Sequence, residues 1–171
     1  MSAAGLDLSL TETGYAFPNV VGHLKTPANK VRGMPRLALI RDTVAQLIEI
    51  DRPALAVIEG FSFGSKGAAV FQLGGLGYII RLLLHDAGVP ALDIPPSTLK
   101  IYATGHGHAD KKRVIDSARR LLGYEGKNDN EADALWLRAL GMELTGEPLV
   151  ALPDSHRRAL EGIENVLQHQ P

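Results

Sequence analysis

An uninterrupted apolar run, Ala54-Leu-Ala-Val-Ile58, breaks sharply at Glu59-Gly60. A run of this length reads as a buried strand, and the polar break places the carboxylate at the strand's end. Before it, Leu37, Ile40, Val44, Leu47 and Ile48 recur at helical spacing. After the loop Phe61-Ser-Phe-Gly-Ser-Lys-Gly67 comes a long, largely uncharged segment, Ala68 to Leu84, expected to be a helix buried on much of its surface. Its glycines Gly74, Gly75 and Gly77 weaken intrinsic helix propensity, so the segment depends on tertiary packing. A strand held between two helices points to an α/β sheet.

The rest of the chain extends that alternation. Gly5 to Leu10 reads as a first strand, with Gly14 to Phe17 as its hairpin partner after a Thr11-Glu-Thr13 turn and Val20 to Leu24 as a third strand. Asn29 to Pro35 reads as a loop, and Val89 to Ile94 as the last strand before Pro95-Pro96. Ser97 is a candidate cap for a short helix to Tyr102, and Asp110 for another to Leu122. Glu131 to Leu144 has strong helical periodicity, and one more helix is expected after Leu152. The expected architecture is an α/β sheet with helices on both faces. At 171 residues the chain suits one core, with 1–150 as the main domain and 151–171 as a helical extension or tail.

Composition narrows function mainly by exclusion. There is no cysteine, hence no thiolate metal site, disulfide or cysteine nucleophile, and a reducing, cytoplasmic setting is expected. No long uncharged apolar stretch suggests a membrane partner. Net charge is only -1, so any nucleic-acid contact must come from local clusters. Two exist: Lys100, Lys111, Lys112, Arg113, Arg119 and Arg120, and an earlier group of Lys25, Lys30, Arg32, Arg36 and Arg41. Either fits phosphate contact, and either fits the polar face of a surface helix.

The acids are more specific. Asp7 lies in the first strand, Glu59 ends the apolar run, and Asp129 and Asp133 enter a helical pattern. Carboxylates gathered at strand ends are costly without cations, and hard oxygen donors suit Mg²⁺, with Mn²⁺ as substitute. One bridging aspartate can serve two ions roughly 4 Å apart, and Asp7 is the candidate bridge. Glu59 would hold the other ion and Asp133 would complete the first. Such a centre activates water against phosphorus and stabilises the departing 3′-oxygen, leaving a 5′-phosphate and a 3′-hydroxyl. The alternatives are structural: Asp7 as a turn cap, Glu59 as a lysine's partner, Asp133 as an exposed helix residue.

An ordered set of short motifs adds a resemblance. Gly5-Leu-Asp-Leu-Ser-Leu10 with Thr13-Gly-Tyr15, Val57-Ile-Glu-Gly60, Ile94-Pro-Pro-Ser-Thr-Leu-Lys100, Ala109-Asp-Lys-Lys112 and Glu131-Ala-Asp-Ala-Leu135 follow one another from residue 5 to about 144. In this the chain resembles RuvC-type Holliday junction endonucleases of the ribonuclease H-like, or retroviral integrase, superfamily. The resemblance implies a ribonuclease H-like mixed five-stranded sheet and catalytic roles for Asp7, Glu59 and Asp133. It also implies that Lys100 and Lys111 stand near the scissile phosphate, with Lys112 as an alternative to Lys111. Where the common bacterial form has a fourth carboxylate, this chain has Asn130, an uncharged oxygen donor, with Asp129 beside it as a substitute and Glu131 on the other side.

The same resemblance makes Phe61 or Phe63 a candidate for stacking on junction bases. His106, His108 and Arg113 join the candidate DNA contacts. It further implies a homodimer acting on four-way branched DNA; the small, uncharged residues of Ala68 to Leu84 make that segment the candidate dimer helix, with burial inside one monomer as the alternative. A bacteriophage replication or packaging role fits the short form. Broad fork and flap cleavage, and a catalytically silent junction-binding protein, are the competing functions.

Overall fold

The computed structural model describes residues 2–60 and 68–163. Five strands form one sheet in the order β3-β2-β1-β4-β5. They are β1 (Ala3–Asp7), β2 (Glu12–Phe17), β3 (Val20–Lys25), β4 (Leu55–Glu59) and β5 (Ala91–Ile94). β1 pairs antiparallel with β2 and parallel with β4, so the sheet is mixed. The hairpin register is tighter than the sequence suggests. β1 ends at Asp7, the turn runs through Ser9 and Leu10, and β2 already begins at Glu12. The Thr13 hydroxyl explains this shift, donating to Ser9 O at 2.7 Å and thereby closing the turn from inside.

Alternation along the strands divides two cores. Ala4, Leu6, Ala56 and Ile58 point to helices α1 (Gly33–Asp51) and α2 (Ala68–Asp86), where they pack with Ile40, Val44, Leu76, Ile80 and Leu84. Ala3, Val57 and Leu55 point to the opposite face, covered by α3 (Pro96–Thr104), α4 (Lys111–Leu122) and α5 (Asp129–Leu144). Helices therefore cover both faces, as expected. α1 starts before Pro35, within the segment expected to be a loop, because Pro35 falls in its first turn, where a missing N–H costs nothing. α3 is entered through Pro95 and Pro96, and no side chain caps it, so Ser97 does not serve as the cap. Asp110 does cap α4, accepting from Arg113 N at 2.8 Å.

α2 corrects a further expectation. Its inner residues are buried, but Phe71, Tyr78 and Leu82 are 83%, 76% and 62% exposed along one stripe. The helix thus presents an apolar stripe that is not buried.

α5 lies closest to the sheet. A side chain at Gly5 would collide with the backbone of Ala134 and stand 2.5 Å from Arg138 N, and one at Gly14 would collide with the Asn130 carbonyl. At Gly141, within α5 itself, a Cβ would meet Val57 Cγ2 at 2.8 Å and Ala3 Cβ at 2.9 Å. Glycines on both partners thus set the helix-to-sheet distance. Beyond α5 the chain returns through Leu152 and a short helix, α6 (Asp154–Arg157), to cover α3.

Candidate active site

Register alone brings two of the acids together. Leu6 is paired with Ile58 across parallel β1 and β4, so Asp7 and Glu59 follow as neighbours at the carboxyl ends of adjacent strands. Asp7 shares its sheet face with Ala3 and Gly5, and Glu59 shares it with Leu55 and Val57, which is the face carrying α5. Asp133 comes from the second turn of that helix, one residue before the Ala134 carbonyl that lies against Gly5. The close glycine packing is therefore what carries the third carboxylate to the other two.

The electrostatics show how tightly these groups interact. Asp7 is 8% exposed, and its carboxyl is pushed up to about 9, first by burial and then by the charges of Glu59 and Asp133 and a hydrogen bond with Glu59. Burial also raises Glu59, against lowering by that hydrogen bond and by the charges of Lys100 and Lys111. Asp133 is pushed up to about 7, chiefly by burial and next by Glu59 and Asp129. The Asp7–Glu59 pair thus retains a proton between its two carboxyls, because like charges this close resist joint ionisation.

Among the described residues no three acidic or imidazole side chains already converge as a metal-ligand cage. What Asp7, Glu59 and Asp133 share is a common field of buried, mutually repelling carboxylates, opposed by the charges of two lysines. An all-oxygen donor set of crowded, buried carboxylates fits a hard divalent cation, which would take the place of the proton.

The first turn of α5 is held separately. Asn128 caps the helix, its Oδ1 accepting from Glu131 N at 3.1 Å while its Nδ2 donates to Glu12 on β2 at 2.5 Å. Glu131 is bonded to His23 Nδ1 at 2.7 Å and accepts from the Tyr124 hydroxyl at 2.5 Å, which engages both of its carboxylate oxygens. It is therefore a tether of the helix entrance and not a spare carboxylate for the cluster. Asp129 is paired with Lys111, which holds its carboxyl below the usual range and raises Lys111 in turn. Asn130 follows in the same turn, its backbone against Gly14. Sequence periodicity missed this cap and tether because apolar spacing says nothing about side chains reaching across to β2 and β3. The Asn128-x-x-Glu131 spacing was the available signal.

The remaining candidates divide clearly. Lys100, on α3, acts on Glu59 and Asp133 through its charge. Lys112 and Arg113 are exposed on α4, and His106 and His108 are exposed in the loop between α3 and α4. Phe61 and Phe63 lie outside the described residues. The earlier basic group is largely engaged: Arg36 is buried with its guanidinium on Val31 O at 2.8 and 3.0 Å, Arg41 pairs with Asp42 at 2.6 Å, and Lys25 reaches Glu12 at 3.8 Å. Arg32 donates to Ala28 O at 2.7 Å.

The profile of the family described as crossover junction endodeoxyribonuclease RuvC matches residues 5–140, from β1 through most of α5. The chain belongs to the RuvC family. A RuvC from Synechococcus sp. (strain WH7803) is 32% identical, the match covering 82% of this chain and 97% of that protein. A RuvC from Treponema denticola is 30% identical, over 77% of this chain and 79% of its own length. Among solved structures, Thermus thermophilus RuvC in complex with a Holliday junction substrate has a TM-score of 0.73 at 24% identity, covering 86% of this chain and 97% of that one. The yeast mitochondrial Holliday junction resolvase Ydc2 has a TM-score of 0.52 at 12% identity, covering 98% of this chain and 83% of that one. Both structures share the fold, and RuvC membership carries a divalent-metal requirement with it.

Proposed function

We propose that this protein is a divalent-metal-dependent endonuclease that resolves Holliday junctions by paired phosphodiester cleavage. The observation that carries the reading is the meeting of Asp7, Glu59 and Asp133 from β1, β4 and α5 on one sheet face, with Lys100 and Lys111 in their field. Asp7, Glu59 and Asp133, with Asn130 or Asp129 completing the set, would hold Mg²⁺ or Mn²⁺, two ions per site. Bound there, such ions supply the positive charge that makes water nucleophilic and stabilises the leaving oxygen.

The chain's own groups do the rest. Glu59 and Asp133 orient the attacking water on one side of the phosphate. The lysines meet the phosphoryl oxygens, where negative charge grows as the water oxygen bonds to phosphorus and the bond to the 3′-oxygen breaks. The attacking water gives up a proton to solvent, the 3′-oxygen takes one up from solvent and leaves as a hydroxyl, and the 5′-phosphate remains on the other strand end. Asp129 keeps Lys111 extended over the acids until a DNA phosphate offers a competing partner. Lys112, Arg113, His106 and His108 supply backbone contacts, and Phe61 or Phe63 stacks on a base at the branch.

Two opposed cuts require two sites, and the stripe of Phe71, Tyr78 and Leu82 on α2 suits a second copy of this chain. The enzyme would act in a bacterial cytoplasm, its curated relatives being bacterial.

The direct test compares wild type with Asp7→Asn on a labelled four-way junction, a fork, a flap and a linear duplex, with and without Mg²⁺. Symmetrical nicks in the four-way substrate, lost in Asp7→Asn while binding persists, are expected. Equal cleavage of fork and flap would remove junction selectivity, and full activity in folded Asp7→Asn would remove the metal site.

A further inference from the structure

Helix α3 carries Lys100 near its middle and ends at Gly105, directly before the His106–His108 loop. The last carbonyls of a helix have no partner within it, so something else must satisfy them. Here each has one. Thr104 Oγ1 donates to Lys100 O at 2.8 Å, and Gly105 N, in the left-handed region at φ 77°, donates to Ile101 O at 2.7 Å. Ser117 Oγ, on α4, donates to Ala103 O at 2.5 Å.

The other two partners come from the chain's C-terminal stretch. Buried His156 is bonded through Nδ1 to Tyr102 O at 2.8 Å, and because a carbonyl only accepts, Nδ1 carries the proton. Arg158 donates to Gly105 O at 2.9 Å. A third tie runs beneath them: Arg157 reaches Glu143 at 2.6 Å, and Glu143 accepts from the Tyr102 hydroxyl at 2.7 Å. Leu152, Ala159, Leu160 and Ile163 anchor the stretch in the core under α3 and α5. The match to the RuvC family ends at residue 140, so all of these contacts lie beyond it on one side.

We infer that residues 152–163 form a clamp on the C-terminal end of α3, with His156 and Arg158 as positioning residues that hold Lys100 and the His106–His108 loop in place for phosphodiester cleavage. The inference rests on the nuclease reading for its consequence, though not for its geometry. Thr104 links the clamp's target to both ends of the segment. Its hydroxyl bonds Lys100 O and accepts from His106 N at 3.2 Å, so displacement of Gly105 passes in one direction to the lysine and in the other to the loop. A cationic guanidinium also suits the negative end of the helix dipole.

The experiment uses the full chain with Arg158→Ala, Arg158→Lys and His156→Phe. Amide hydrogen exchange is followed at His106 and Ala109, whose N–H groups bond within this loop. Single-turnover cleavage of a four-way junction is measured over a range of enzyme concentrations. Arg158→Ala should speed exchange at these amides about tenfold, as loss of a charge-assisted hydrogen bond predicts. It should lower the maximal cleavage rate roughly five- to tenfold with half-saturation changed less than about twofold, since Lys100 would act on charge that develops in the transition state. Arg158→Lys should recover most of the rate, and His156→Phe should behave like Arg158→Ala. Unchanged exchange would overturn the clamp. Faster exchange with an unaltered maximal rate would overturn its positioning role. Faster exchange in a protein whose wild type cuts no branched DNA would support the clamp and overturn the nuclease reading.

Discussion

Replacing Gly5 with alanine separates the geometry of the site from its chemistry. The new Cβ would stand 2.5 Å from Arg138 N, nearer still to the Ala134 carbonyl, and 3.0 Å from Leu137 Cβ. Two of these neighbours are backbone, which cannot rotate away. Ordinary contact begins at 3.4 Å, so α5 must withdraw from β1 by about an ångström or more. Overpacking of this kind costs roughly 1–3 kcal/mol, or several degrees of Tm in a chain of this size. Asp133 precedes Ala134 and withdraws with it, and a misplacement near 1 Å in a catalytic group costs about 100-fold in rate.

Gly5→Ala should therefore fold, melt several degrees lower and cleave a four-way junction about 100-fold more slowly at saturating Mg²⁺, with every acid still present. Gly141→Ala is the control. It sits about 12 Å further along the same helix and would press on the Val57 and Ala3 side chains, so it should cost similar Tm but less than about tenfold in rate. Paired thermal melts and single-turnover nicking assays decide the matter. If Gly5→Ala keeps its Tm within a degree and its rate within twofold, the glycine packing does not set the distance between the carboxylates.

The acids also govern stability. The raised carboxyls of Asp7 and Asp133 mean that the folded state binds more protons than the unfolded chain between about pH 4 and their folded values of about 9 and about 7. Their contribution is then complete below pH 4 and is lost as pH rises through those values. Metal-free wild type should lose Tm relative to Asp7→Asn on going from pH 5 to pH 9, and Mg²⁺ should restore it in wild type alone; a Tm gap that is constant with pH would refute this. Asn130→Asp should preserve or strengthen Mg²⁺ binding in calorimetric titration, and loss of binding with the fold intact would remove residue 130 from the metal shell. Tyr78→Glu, in the exposed stripe of α2, should shift a dimer to monomer in sedimentation and abolish any rise of Tm with protein concentration; an unchanged sedimentation profile would remove α2 from the interface.

Much of the site was readable from sequence because the relevant signals were local. The break after Ile58 placed Glu59 at a strand end, and Asp110 capped the helix it was expected to start. What could not be read depended on groups brought together from afar. Glu131 looks like a substitute ligand by spacing, yet His23, from distant β3, and Tyr124, from the loop leading into α5, occupy it. Arg36 looks like part of a basic surface, but it is buried on the Val31 carbonyl. Periodicity marked the outer face of α2 as apolar without revealing that no part of the same chain covers it among the described residues. The grip of His156 on Tyr102 joins positions whose pairing leaves no trace in spacing.

The packing of α5 against β1 also has a temporal consequence. A chain leaving the ribosome forms its N-terminal elements first. Asp7 and Glu59 emerge early and can pair as β1 meets β4, but Asp133 arrives only with α5, and the stretch that fastens α3 follows later still. The nascent protein therefore has no complete set of acids until α5 is made, and a DNA-cutting activity is withheld until the sheet that directs it already exists.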